Sequence, residues 1–320
     1  IMATYKDIKG TSIEVVSSDP SNPLIGQIWY NTTSQTLKGV EFGAEAWSTG
    51  GNLGTGRTAP GGAGTQTAGL AFGGQVPART TATEEYNGTA WTGGGALPVA
   101  KSKMGNAGTQ TAALAFGGSE PSTGITSTEE YNGTAWTAGG ALGTARNYIA
   151  GCGTQTAGLA FGGYSTPEGA NTTLTEEYNG SSWTAGGVLN NGRSYLTGCG
   201  TQTAGLAVGG QGGPKSTLTE EYNGSSWTNG GALTAGKTNS AAAGLQTAAL
   251  AFGGSPIPVN NTAKYNGTSW TTSASLSVGR HYLGGCGTQA AALAFGGSPT
   301  PAATEEFSEA GPVTVTLSGS

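Results

Sequence analysis

One eleven-residue stretch constrains this chain more than anything else in it: GTQTAGLAFGG at Gly64–Gly74. It returns at Gly108–Gly118, Gly153–Gly163, Gly200–Gly210, Gly244–Gly254 and Gly287–Gly297, with starts 44, 45, 47, 44 and 43 residues apart. A period of about 40–50 residues marks units that cannot bury an apolar face alone and so stack or close into a ring. The third repeat reads as four short strands. RNYIAGCG (Arg146–Gly153) is the first, and Thr154-Gln-Thr a tight turn. AGLAFGG (Ala157–Gly163) is the second, with Leu159 and Phe161 on one face and Gly158 and Ala160 on the other by period-two alternation. After a variable loop comes TLTEEYN (Thr173–Asn179), and Asn179-Gly180 is a hairpin turn that favours positive φ. The fourth strand carries Trp183. Four antiparallel strands per unit predict one propeller blade.

An apolar strand ending in a double glycine, then a Tyr, then a Trp, resembles the kelch repeat. The matches are Gly73-Gly74/Tyr86/Trp91, Gly117-Gly118/Tyr131/Trp136, Gly162-Gly163/Tyr178/Trp183, Gly209-Gly210/Tyr222/Trp227 and Gly253-Gly254/Tyr265/Trp270. The likeness covers about residues 40–310 and implies an all-β, six-bladed kelch-like (galactose-oxidase-type) β-propeller. Kelch propellers host enzymes and binding modules alike, so it implies a fold and no activity. The sixth repeat has Phe307 for the Tyr and no Trp after it, while Val40–Leu53 holds an orphan strand with Trp47. An N-terminal strand in the last blade would close the ring and remove an open edge. The alternative is seven blades, with Gln27–Trp47 and Val313–Leu317 forming an irregular extra one. The expected organisation is an arm at 1–39, the propeller at 40–311 and a C-terminal strand or tail at 312–320. Within the arm, Thr11–Ser17 reads as a strand, and Gln27–Asn31 with Thr36–Phe42 as a hairpin.

Charged residues make up 10% of the chain, well under the roughly 25% of an ordinary domain. With a net charge of −5, nucleic acid is not an expected partner. No apolar run reaches the roughly 18 residues of a membrane span, and no cleaved secretion signal is expected at the start. Cys152, Cys199 and Cys286 stand at one offset in three repeats, where the others have Ala63, Ala107 and Ala243. Exchange with Ala predicts small buried fillers, with no disulfide, metal or redox role. His281 is the one histidine, and Asp7 and Asp19, both in the arm, are the only aspartates. That inventory cannot supply the two His and two Tyr of a kelch-like copper oxidase, the aspartates of a six-bladed sialidase, a zinc site or a Ser-His-Asp triad. The expectation is therefore no enzyme, no cofactor and no metal. Asn-x-Ser/Thr sequons at Asn87, Asn132, Asn179, Asn223 and Asn266 are explained by turn chemistry.

Each repeat opens with a basic residue: Arg57, Lys101, Arg146, Arg193, Lys237 or Arg280. Five repeats carry a Glu pair before the Tyr or Phe (Glu84-Glu85, Glu129-Glu130, Glu176-Glu177, Glu220-Glu221, Glu305-Glu306), and the fifth has Ala263-Lys264. A catalytic acid–base pair is needed once, whereas a structural ion pair is needed in every blade, so repetition predicts structural pairing.

Two features read as recognition. All length variation between the repeat cores falls in the loop between the second and third strands, longest at Tyr164–Thr175. Variable loops on a rigid scaffold are a common way to build a binding face, although unconstrained drift would look the same. The second feature is RxYxxGCG in repeats three, four and six. Alternation would put Arg146, Tyr148 and Cys152 on one face, and likewise Arg193 with Tyr195 and Arg280 with Tyr282. Tyr beside Arg suits sugars or planar groups, and Tyr packed between blades is the alternative. The candidate binding residues are Tyr148, Tyr164, Tyr195, Tyr282, Arg146, Arg193 and Arg280.

The Gly/Thr/Ser-rich repeats and the arm sequence GQIWYNTTSQTLKG look similar to bacteriophage tail-fibre and virion appendage proteins. That resemblance implies a non-catalytic binding or structural protein of the virion or extracellular space. Its arm would dock to other virion proteins, its loops would meet a host-surface glycan or protein, and homo-oligomers are compatible with it. The alternative is a cytoplasmic kelch-type scaffold that binds a peptide, and a third reading, after both, is an enzyme with an unrecognised mechanism.

Overall fold

A computed structural model of the chain describes residues 13–317 apart from 121–122, 214–215 and 256–258. The first twelve residues of the arm, with Asp7, and residues 318–320 of the tail lie outside the described residues. Among the described residues every regular element is a strand, and no helix is long and apolar enough to cross a membrane.

The chain divides into two compact units, residues 1–46 with 309–320, and residues 47–308. Residues 40–46 and 309–311, expected with the repeats, thus belong to the smaller unit. That unit is a four-stranded sheet of Glu14–Val16, Ile28–Asn31, Thr36–Phe42 and Pro312–Thr316, in that spatial order. Its first pair is parallel and the others antiparallel. The expected hairpin forms, and residues 312–316 pair with residues 38–42. Trp29 is fully buried, and Asp19 accepts from its Nε1 at 3.0 Å, from Asn31 Nδ2 at 2.6 Å and from Lys38 Nζ at 2.6 Å. Those three bonds, led by the one from Lys38, draw the Asp19 pKa down to about 2.

The larger unit repeats one sheet. In the third repeat the order is Ala150–Gly153, Gly158–Phe161, Thr175–Tyr178 and Trp183–Ala185, all antiparallel. The first, second, fourth and fifth repeats build the same sheet. The sixth has Gly284–Gly287, Ala291–Phe295 and Thr304–Ser308, and its fourth strand is Ala46–Thr49 from the other end of the chain. Second strands such as Gly158–Phe161 are buried on both faces, which is why they are apolar or small at every position.

The first five sheets are each tied to the preceding one, the first to the sixth, by three side chains of the repeat, and the sixth, with Phe307 for the Tyr, by two. The Gln of GTQ donates Nε2 to two backbone carbonyls, as Gln155 does to Ala113 and Tyr131 at 3.0 and 2.6 Å. The Trp donates Nε1 to a Thr, as Trp183 does to Thr128 at 2.9 Å. The Tyr hydroxyl donates to the second Glu of the pair, as Tyr178 does to Glu130 at 2.6 Å. The first repeat makes the same bonds to the sixth: Gln66 to the Phe307 carbonyl, Trp91 to Thr304 and Tyr86 to Glu306. Trp47 donates to Thr262 of the fifth sheet at 3.1 Å and packs on Phe252 and Phe307.

Within each sheet the opening basic residue is buried. Arg146 donates to Glu176 at 2.6 Å and to the carbonyls of Gly162 and Leu174; Arg193 and Arg280 meet Glu220 and Glu305 at 2.8 Å in the same way. Arg57 pairs with Glu84, and Lys101 with Glu129. In the fifth sheet, where Ala263 replaces the Glu, Lys237 donates to the carbonyls of Gly253 and Asn261 and to Asn261 Oδ1. The second carboxylate oxygen of Glu176 accepts the Gly143 amide at 2.7 Å, so the buried anion is satisfied on both sides. The double glycine serves this same locus. Gly162 has φ of 62°, and a Cβ there would lie 2.7 Å from the Arg193 carbonyl of the next repeat. The result is entirely β and consistent with a β-propeller.

Candidate functional site

The residue two positions after each buried cation adopts positive φ: Ala59, Lys103, Tyr148, Tyr195, Asn239 and Tyr282, at 50°, 62°, 50°, 57°, 55° and 54°. Together they close a ring of backbone hydrogen bonds. Lys103 N donates to Ala59 O at 3.3 Å, Tyr148 N to Lys103 O at 2.9 Å, and Tyr195 N to Tyr148 O at 3.2 Å. Asn239 N then donates to Tyr195 O at 3.0 Å, Tyr282 N to Asn239 O at 2.9 Å, and Ala59 N to Tyr282 O at 2.7 Å. The left-handed conformation costs roughly 1–2 kcal/mol in a residue with a Cβ, and one ring hydrogen bond per residue offsets it.

This ring is the mouth of an opening of about 120 Å³ that continues down the first strands past Gly62, Asn106, Gly151, Gly198 and Gly285. Asn106 Nδ2 donates to the Gly62 carbonyl at 2.6 Å and narrows the bore. A second opening, of about 100 Å³, lies at the other end of these strands, among Gly, Ala and the three cysteines. All three thiols are free and buried, and burial pushes Cys199 and Cys286 up to about 12.

Isolated bridges such as Thr58↔Gln75, Ser194↔Gln211 and His281↔Ser298 pin the base of each variable loop beside the mouth. Loops and mouth therefore share one end, and the Thr-Gln turns lie at the other. In the third repeat the insertion forms a ribbon of Arg146–Asn147, Tyr164–Ser165 and Ala170–Asn171. There Tyr164 is exposed and pairs with Asn147, the neighbour of Tyr148.

The seven expected site residues separate into two groups. Tyr148, Tyr195 and Tyr282 line the mouth, with Tyr164 on the loop ribbon paired to Asn147. Arg146, Arg193 and Arg280 do not line it; they are at most 1% exposed and engaged with glutamates and carbonyls. Strand alternation placed Arg, Tyr and Cys on one face, but positive φ at the Tyr turns the backbone there. The Tyr faces the mouth, the Arg enters the sheet and the Cys lines the far opening.

The tyrosine rings of residues 148 and 195 stack with centroids 3.7 Å apart, and Lys103 Nζ stands 4.6 Å over the Tyr148 ring. Burial pushes Tyr195 up to about 12 and also raises Tyr148 and Tyr282, so all three present neutral hydroxyls. Sequence reasoning missed Lys103 and Asn239. The signal was available, since both stand two residues after the repeat's basic residue, the offset of the three tyrosines. Among the described residues no group of three His, Cys, Asp or Glu could hold a metal ion.

No family model matches the chain, and no curated protein matches its sequence. Among solved structures, one described as the structure of YjhT is similar over 83% of this chain and all of its own length, at 12% identity and a TM-score of 0.68. At that identity the likeness bears on fold alone, and it agrees with the all-β, propeller-like arrangement.

Proposed function

We propose that the chain is a non-catalytic binding protein: a six-bladed, kelch-like propeller that meets its target with the mouth ring and the loops around it. The cross-sheet bonds from the first repeat to the sixth, and Trp47 in the position that the other repeats give to their own Trp, support six blades closed by the N-terminal strand.

One observation carries the functional reading. The chain has 60 glycines and uses them at most positions of positive φ. At the six ring positions, where glycine would relieve the strain, it has Ala, Lys, Tyr, Tyr, Asn and Tyr. Strained backbone that keeps varied side chains at the rim of an opening is characteristic of sites where those side chains act. Because the ring is held by backbone bonds alone, side chains can differ from repeat to repeat without altering the frame. The target is a host-surface glycan or protein, and the chain is a virion appendage docked to other virion proteins by its arm. This placement in an extracellular particle rests on the likeness of the arm and repeat style to tail-fibre proteins. Labelled intact protein, applied to a glycan array and to a panel of bacterial cells, tests the reading. Binding to a subset of targets, lost in Tyr148→Asn, supports it; binding unaffected by that change overturns it.

A further inference from the structure

Among the described residues of the larger unit, the basic residue that opens each repeat is committed. Arg57, Lys101, Arg146, Arg193 and Arg280 are in ion pairs, and Lys237 is held by carbonyls and Asn261. Lys103 and Arg79 differ. Lys103 lines the mouth and Arg79 stands on the adjoining loop strand, and among the described residues neither is in an ion pair with a carboxylate. Arg79, at the end of the short loop strand Ala78–Arg79, donates Nη2 to Ser119 Oγ at 3.3 Å. Ser119 bridges to Ser102, the neighbour of Lys103. Arg79 Nε is buried without a hydrogen-bond partner.

Arg79 and Lys103 thus stand on segments joined through Ser119 and Ser102, and like charges on neighbouring, partly buried segments with no ion-paired carboxylate disfavour each other. Lys103 shows the effect: burial, then the Arg79 charge, lowers its pKa. An arrangement that is costly when empty is one that an anion relieves. The charge-assisted hydrogen bonds that a lysine and an arginine offer suit an oxyanion. The surroundings limit what carries that group. Lys103 stands over the Tyr148 ring, which also stacks on Tyr195. Farther round the ring, Asn239 stands between Tyr195 and Tyr282, and the Ser240 hydroxyl beside it is buried and unpartnered. Neutral hydroxyl and amide groups therefore continue from the cation pair round the rim.

We propose that the Lys103–Arg79 corner of the mouth binds one oxyanion group, a carboxylate or a sulfate or phosphate ester, of a ligand whose remaining polar groups meet Tyr282, Asn239 and Ser240. This deepens the binding reading given above and rests on it for the ligand as a whole, but not for the anion itself.

The test is calorimetric titration of the intact chain with sodium acetate, sulfate and phosphate at fixed ionic strength, chloride being the replaced ion. Saturable heat with at least one oxyanion is expected, and the oxyanion preferred distinguishes a carboxylate from an ester. Lys103→Asn keeps a residue that accepts positive φ, as Asn239 does, while removing the charge; Arg79→Gln removes the other charge from a loop. Each is expected to weaken oxyanion binding about tenfold, the worth of one charge-assisted hydrogen bond, with a melting temperature in the absence of oxyanion no lower than that of the wild type. Absence of saturable binding in the wild-type chain, or equal binding in both variants, overturns the proposal. Oxyanion binding that persists while attachment to every cell and glycan fails would overturn the proposed function and leave this site standing.

Discussion

Tyr86 Oη donates to Glu306 Oε1 at 2.5 Å, joining the first repeat to the last across 220 residues of chain. The same bond recurs between Tyr131, Tyr178, Tyr222 and Tyr265 and the second Glu of the preceding pair. It explains two departures in the sequence that look unrelated. The fifth repeat has Lys264 at the acceptor position, and the sixth, which would donate to it, has Phe307. An ammonium cannot accept a hydrogen bond, so a Tyr there would bury an O–H proton without the carboxylate acceptor that the other repeats supply. Phe307→Tyr should therefore cost about 1–3 kcal/mol. Combined with Lys264→Glu, it should cost less than the sum of the single changes. Chemical denaturation of the three variants gives the coupling; additive costs would contradict the pairing.

The buried cations make a second prediction. Arg146→Ala leaves Glu176 buried and uncompensated, at about 3–5 kcal/mol. Lys237→Ala leaves carbonyls and Asn261 without a donor but no stranded charge, at about 1–3 kcal/mol. Thermal melts should rank them in that order, and equal shifts would argue against pairing within sheets.

Burial and then the Glu acceptor push Tyr86, Tyr131, Tyr178, Tyr222 and Tyr265 up to about 12 from the ordinary 10.0. A raised acid favours the fold in its neutral form. The stabilisation is complete below pH 10 and is lost as the pH climbs towards 12. Unfolding in this window should coincide with the phenolate absorbance of these residues. Five phenols that titrate near pH 10 in a chain that stays folded would refute the assignment.

Trp47 supplies the sixth sheet with the ring that every other repeat encodes for itself. Trp47→Ala should cost about 3–5 kcal/mol and lower the melting temperature of the whole larger unit. A change confined to the smaller unit, or none, would contradict closure by the N-terminal strand.

Much of this was legible in the repeat. The four strands, the Asn-Gly turns, the ion pairs and the missing sixth Trp all follow from residues that recur at fixed offsets. What could not be read was direction. Period-two alternation assumes an unbroken strand, and one positive φ at Tyr148 separates it from Arg146 and Cys152. Nothing in RNYIAGCG announces that conformation, because the residue that adopts it is not glycine. Lys103 and Asn239 were hidden for the same reason, since their partners in the ring are backbone atoms of other repeats.

The most direct test of the mouth as the recognition surface compares binding of the intact wild-type chain, Tyr195→Asn and Thr156→Ala to one immobilised target. Asn keeps the positive φ, as Asn239 does already, and Thr156 is exposed at the opposite end. The account predicts that Tyr195→Asn weakens binding tenfold or more, the loss expected of an aromatic anchor worth about 2 kcal/mol, while its melting temperature and the binding of Thr156→Ala stay at wild type. Full affinity in Tyr195→Asn, with loss in Thr156→Ala, would contradict it and put recognition at the other end of the strands.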